Sequence, residues 1–260
     1  MISLTELLSE AKLPFAEDSL DPYALKYKKT LDYLKTKNKV LCLTTSNRWV
    51  KHKDDVPKSS QLALKLQELL GKEKVKVIDI TKLKIFMCEG NVSSNAAHGG
   101  NHCGVKAASL NDKDKDPMGT HRCWSSLNNP SDELYKVTNE LLTSDAVVFF
   151  VSVRWGQTNA FYQKLIERLT WLENRHTALG ESNLLKDIDA GLIAIGQNWN
   201  GKQVVDTQKK VLEFYGFKTP SELFWNWQYT SDSDDESLRS YQRANKVFKE
   251  FENTFLHTEL

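Results

Sequence analysis

Three short polar segments hold most of the residues able to do chemistry: Thr44-Thr45-Ser46-Asn47-Arg48-Trp49, Ser152 to Asn159, and Gly196-Gln197-Asn198-Trp199-Asn200. The first offers hydroxyls and a guanidinium ahead of a helix that Ser59-Ser60 opens. A phosphate monoester needs that combination, because helix-end N–H groups and charge-assisted bonds from Arg48 each favour an oxyanion. One such bond contributes on the order of 1.5–3 kcal/mol. The other two segments supply Trp155, Trp199 and side-chain amides, which suit the face and edge of a planar ring. The plainer reading of the two tryptophans is that they cap the core.

Each segment follows an apolar run: Val40 to Thr44, Ala146 to Val151, and Ala190 to Gly196. The six apolar residues from Ala146 to Val151 predict a strand buried on both faces, ending in a short polar turn with one glycine. The helix after it has Phe161, Leu165, Leu169 and Leu172 on one side and Lys164, Glu167 and Arg168 on the other. Val75 to Ile80 alternates too poorly for an exposed strand and fits a second buried one. Glu222 to Tyr229 sets Leu223, Trp225, Trp227 and Tyr229 against Phe224, Asn226 and Gln228, as in an outer strand. Helices are expected from Ser59 (Leu62, Leu66, Leu69 and Leu70 inward, closed by Gly71) and from Asn129-Pro130, with Asn as cap and Pro in the first turn. Others are expected from Gly201 to Tyr215 and along Tyr241, Ala244, Phe248, Phe251 and Phe255.

Strand and helix alternate about five times. The expected fold is α/β, a doubly wound parallel sheet of five strands in the order 2-1-3-4-5 with helices on both faces. Strands 1, 3 and 4 are then neighbours, so the three polar segments converge on one crevice at the carboxyl edge. The expected division is a helical arm over 1–37 and one domain over 38–260, interrupted by an irregular insertion over 84–128.

Of the 260 residues 27% are charged, yet the net charge is +1, so no overall field argues for nucleic acid or an anionic membrane. No apolar run approaches the ~20 residues that span a bilayer. The first residues lack the basic-then-apolar pattern of a secretory leader, and four cysteines do not make a disulfide scaffold. A cytoplasmic protein is expected.

These residues resemble the NAD(P)H-dependent FMN reductases of flavodoxin-like fold over about Val40 to Tyr229. That family carries Gly-Ser-x-Arg-x-x-Ser at the FMN phosphate, and Ser46-Asn47-Arg48 matches its Ser-x-Arg. It also carries Ser-Pro-x-Tyr-Trp-Gly, over which Val151-Ser152-Val153-Arg154-Trp155-Gly156 lies. Phe161 to Arg168 matches the family's next helix. Thr45 stands where the family has its first glycine, Ser59 or Ser60 must serve as the second serine, and Ser152 and Arg154 replace the proline and tyrosine.

The resemblance implies bound FMN that takes hydride from NAD(P)H and passes electrons to a small-molecule acceptor such as a quinone or metal ion. It places Thr45, Ser46, Arg48, Ser59 and Ser60 at the phosphate. Val153, Arg154, Trp155, Gly156 and Gln157 line the ring, with Gly196, Gln197, Asn198 and Trp199 opposite. Arg154 would steady an anionic reduced ring or grip a nicotinamide phosphate. No general acid or base is expected, since in such sites the cofactor does the chemistry. Family members are commonly dimers or tetramers, so a homodimer or homotetramer is expected, with Phe224, Trp225, Trp227 and Tyr229 offering a contact face.

Besides a flavodoxin-like scaffold that binds no cofactor and serves as an interaction protein, two other readings compete. One is a flavodoxin-type electron carrier, although carriers are usually short and strongly acidic. The other is a nucleotide-binding loop at Gly196 to Gln203, where Gln203 replaces the hydroxyl that would bind magnesium. Cys88, His98, His102, Cys103, His121 and Cys123 crowd the irregular segment, but no Cys-x-x-Cys pair starts a metal site. No resident metal is expected; the segment reads as a substrate lid or part of an oligomer interface.

Overall fold

The computed structural model describes residues 20–47, 56–90, 102–196, 199–229 and 244–260, of which 244 and 245 are described in backbone only. Apolar runs with a charge only at one end of β3 and of β5 build the three central strands: β1 (Val40–Thr44), β3 (Ala146–Arg154) and β5 (Asp189–Gly196). β2 (Val75–Asp79) and β6 (Phe224–Gln228) complete a parallel sheet in the order β2-β1-β3-β5-β6. A two-residue strand, β4 (Gln157–Thr158), pairs only with β3 and antiparallel to it. Apart from that hairpin the order is the expected 2-1-3-4-5, a doubly wound sheet of flavodoxin-like topology.

The pleat sends alternate residues to opposite faces. Leu41, Leu43, Val147, Phe149, Val151, Leu192 and Ala194 meet α4 (Leu134–Leu141), α5 (Ala160–Thr177) and α6 (Gly201–Phe214) on one side. Val40, Cys42, Val148, Phe150, Ile193 and Ile195 meet α1 (Pro22–Lys35), α2 (Lys58–Leu70) and α7 (Ala244–Phe251) on the other. α1 lies within the stretch expected as an arm and shares that second core. Tyr27 is buried and donates to Leu62 O at 2.7 Å, Thr30 Oγ1 donates to Glu222 O at 2.6 Å, and Tyr33 Oη donates to Asp189 Oδ2 at 2.8 Å. Among the described residues no helix is long and apolar enough to cross a membrane.

Several elements differ from expectation. β2 is an edge strand, and only Val75 in it is fully buried; Lys76 reaches Glu140 at 2.6 Å instead. Leu69 of α2 is 41% exposed, because the buried stripe runs through Leu62, Ala63 and Leu66. Asn129-Pro130 opens no helix: Asn129 closes a short one, α3 (Trp124–Asn128), and α4 begins at Leu134. The carboxylate of Asp132 accepts from Leu134 N at 3.1 Å and supplies the oxygen that Asn129 was expected to offer. Tyr241 and the side chain of Ala244 lie outside the described residues, whereas Phe251 and Phe255 are buried as expected.

Arg168 is the largest departure. Expected on the wet side of α5, it is fully buried, because Phe86, Cys123, Ser126 and Asp132 pack over that side. Its guanidinium bonds Asp132 in a fork, at 2.8 and 3.1 Å, and donates to Phe86 O at 2.7 Å and Ser126 Oγ at 2.8 Å. Burial alone would push the Asp132 carboxyl up, but Arg168 and the N–H groups of Phe86 and Leu134 hold it below its ordinary value.

His121 closes the same network, with Nδ1 2.9 Å from Thr138 Oγ1 and Nε2 2.9 Å from Ser126 Oγ. Burial pulls this imidazole down from 6.5 to about 4; Arg168 pulls the same way, while Asp116 and Asp132 pull against it. Between those values the unfolded chain binds a proton that the folded chain refuses. Stability is therefore complete above pH 6.5, erodes as the pH falls towards 4, and by then has lost about 3 kcal/mol. Urea midpoints measured across that interval should fall with acidity, and in His121→Asn they should stay flat until carboxylates titrate.

Candidate functional site

β1 has β2 on one side and β3 on the other, so the switch point of the sheet lies at the carboxyl ends of β1 and β3, where open sheets of this kind form a crevice. Thr45 continues the ladder, its N–H donating to Phe150 O at 3.1 Å, and its side chain is fully buried. Ser46 follows, 4% exposed, and its Oγ accepts from Ser59 Oγ at 2.6 Å. Ser59 and the buried Ser60 stand in the first turn of α2. Pro57 precedes that turn and has no side chain able to cap it, and the turn contains no acidic residue. Its N–H groups, the positive helix end and two paired hydroxyls make a place for an anion. Arg48 lies outside the described residues.

The second segment is a β-hairpin, not a simple turn. β3 runs three residues past Val151, to Arg154, then folds back so that Val153 pairs with Thr158 and Arg154 with Gln157. The turn residues Trp155 and Gly156 have φ of 50° and 69°. Two positive values are what a two-residue hairpin turn of type I′ requires. Trp155 at its tip is 84% exposed, and Arg154 and Gln157 are exposed with it.

The third segment closes onto the hairpin. Asn200 Nδ2 donates to Gly156 O at 2.6 Å, and a Cβ built on Gly156 would stand 2.7 Å from Trp199 Cη2. The Trp199 ring therefore lies against the turn and is 49% exposed. Gly196 packs on Val153, where an added Cβ would meet Val153 Cβ at 3.1 Å. Gln197 and Asn198 lie outside the described residues. Neither tryptophan caps the core; both present ring surface to solvent.

Two asparagines that the sequence reading left out of the site hold it together. Asn159 Nδ2 donates to Thr45 Oγ1 at 3.0 Å and to Ser152 Oγ at 3.2 Å, while its Oδ1 caps α5 by accepting from Tyr162 N at 3.1 Å. It ties the first segment to the second, and Asn200 ties the second to the third. Asn159 was detectable as the cap residue just before an amphipathic helix. Asn200 carried no comparable signal. Its φ of 61° makes it, with Trp155, one of two non-glycine residues of positive φ among the described residues, and both stand on this rim.

Gly156→Ala should cost about 1–2 kcal/mol for the left-handed backbone and displace Trp199. A melting temperature lower by about 2–6 °C and a shifted tryptophan emission maximum would register both effects.

Lys202 of the loop read as nucleotide-binding pairs with Asp206 at 2.6 Å on the outer face of α6, and its side chain is 78% exposed. Among the described residues, no group of three His, Cys, Asp or Glu side chains is placed to hold a metal ion.

The fold is that of a flavodoxin-like α/β protein, with a helix N-terminus beside paired hydroxyls and an aromatic rim along one sheet edge. No family model matches the chain, and no curated protein matches it. Among solved structures it is similar to RosB with bound 8-demethyl-8-formylriboflavin-5'-phosphate (14% identity, 85% of this chain and 81% of that one, TM-score 0.47). It is also similar to the azoreductase of Bacillus anthracis str. Sterne (15%, 84% and 97%, 0.46) and to azoreductase AzrA (15%, 84% and 97%, 0.47).

Proposed function

We propose that the chain is an FMN-dependent NAD(P)H oxidoreductase acting on a small electron acceptor. One observation supports this reading: at the switch point of the sheet, Asn159 and Asn200 tie together the strand end that leads to the paired hydroxyls at a proline-led helix N-terminus and a rim with two exposed tryptophans. That arrangement fits a flat heterocycle bearing a phosphate ester. Ser46, Ser59, Ser60 and the first N–H groups of α2 would hold the phosphate. Val153, Gly156 and Gln157 would border the ring from the hairpin, Gly196 and Trp199 from the other side. When bound there, FMN would supply two-electron redox chemistry with a reduced nicotinamide as donor.

The protein's own part is placement and field. Arg154, exposed beside Trp155, puts a positive charge at the rim, where it favours an anionic ring or a nicotinamide phosphate. The buried Asn159–Thr45 bond and the part-buried Asn159–Ser152 bond keep the hairpin base fixed against β1, so ring and phosphate ends keep their spacing. The test is titration of the purified chain with FMN, followed by stopped-flow mixing with NADH and with NADPH. Binding at micromolar levels or tighter, with bleaching of the flavin absorbance, is expected, and Arg154→Ala should slow the bleaching or weaken nicotinamide affinity. Absence of FMN binding at that level would overturn the proposal.

A further inference from the structure

Away from this edge, three free thiols from three separate stretches gather beneath α5. Cys103 and Cys123 are buried in one core cluster, whereas Cys88 is half-buried beside Met87, which is 66% exposed. Hydrogen bonds pin the three stretches to one another. Arg168 donates through Nη1 to Phe86 O at 2.7 Å and through Nη2 to Cys123 Sγ at 3.3 Å. Ser125 Oγ donates to Met87 O at 2.9 Å, and Trp124 Nε1 donates to His102 O at 3.2 Å. The two residues after Cys123 thus hold the residues just before Cys103 and Cys88. Asn174 fixes Cys103 from the helix side, donating to its carbonyl at 2.7 Å.

The three thiols are not equivalent. Burial pushes Cys103 up to about 12, with Cys123 and Cys88 adding to the effect. Cys123 is buried, and its sulfur accepts from the same Arg168 guanidinium that holds Phe86 O, two residues before Cys88. Cys88 alone borders solvent-exposed chain.

We propose that Cys88 and Cys123 form a dithiol–disulfide couple that reacts with low-molecular-weight disulfides. The Cys88 thiolate attacks RSSR, forming a Cys88–S–S–R bond and releasing RS⁻. The Cys123 thiolate then attacks Cys88 Sγ, forming the internal disulfide and releasing the second RS⁻. The two protein thiols lose two electrons and two protons, and RSSR becomes two RSH. Cys103 stays reduced, as does Cys42, which is fully buried in the opposite core.

The test uses the whole chain, folded, with oxidised glutathione; the reaction is quenched in acid before unfolding, alkylation and peptide mapping. The expected product is lighter by two hydrogens and links Cys88 to Cys123, with Cys42 and Cys103 alkylated. Cys88→Ser should slow disulfide formation by on the order of tenfold or more, since the remaining thiols are covered. Cys123→Ser, its fold checked by near-ultraviolet circular dichroism, should instead stop at a glutathione adduct on Cys88. A stable adduct on Cys88 in the unaltered chain, a Cys88–Cys103 link, or no reaction would each overturn the proposal. None of these residues lines the proposed FMN site, so the outcome is separable from flavin binding.

Discussion

Ser59→Asp is expected to weaken FMN binding by about 100-fold or more while leaving riboflavin, which lacks the phosphate, within about threefold of the unaltered chain. The introduced carboxylate would take the position offered to the ester, accepting from Ser46 and from the first N–H groups of α2. Losing two charge-assisted bonds at about 1.5–3 kcal/mol each accounts for that factor before any repulsion is counted. The fold should tolerate the change, because α2 has no acidic residue in its first turn and an anion there complements the helix end. Isothermal titration with the two flavins reads the difference. Equal losses for both, or no loss for either, would remove the phosphate from this end of the crevice.

Asp132→Ala should be the most damaging single substitution for stability. It would leave the Arg168 guanidinium, with no exposed surface, facing an empty position, and stranding one member of a buried pair costs about 3–5 kcal/mol. It also removes the acceptor for Phe86 N and Leu134 N, so the irregular segment and the start of α4 loosen together. A melting temperature lower by about 10 °C is expected. The double variant Asp132→Leu/Arg168→Met should recover most of the loss, because no buried charge remains uncompensated. If the double variant melts no higher than the single one, the cost lies in the backbone bonds and not in the ion pair.

The alternation of apolar runs with amphipathic stretches carried the sheet order, because burial on both faces leaves a signal that no surface residue can mask. The candidate site was legible at its two ends. Hydroxyls before a helix and tryptophans after a strand are local features, and Ser46, Ser59, Trp155 and Trp199 all stand along one edge. What joins them was not legible. Asn159 and Asn200 act through contacts 114 and 44 residues away in sequence. The hairpin escaped notice because a Trp-Gly turn lacks the Asn-Gly or Asp-Gly pair that normally marks one. Arg168 looked like a solvated residue because its burial depends on Asp132, 36 positions earlier. Pro130 was read as a helix start on its neighbour's capping ability, when the capping oxygen came from two residues further on.

The overhang of β3 beyond its neighbours has a consequence for how such a crevice can change. β5 accompanies β3 only as far as Ser152, and past that point β4 is its hairpin partner. Adding residues to both arms in pairs would raise the wall by roughly 7 Å per pair and keep the same side chains turned inward. A single added residue would turn Arg154 and Trp155 away. Pocket depth is thus adjustable in discrete steps at the rim, without disturbing the distant end built on β1 and α2.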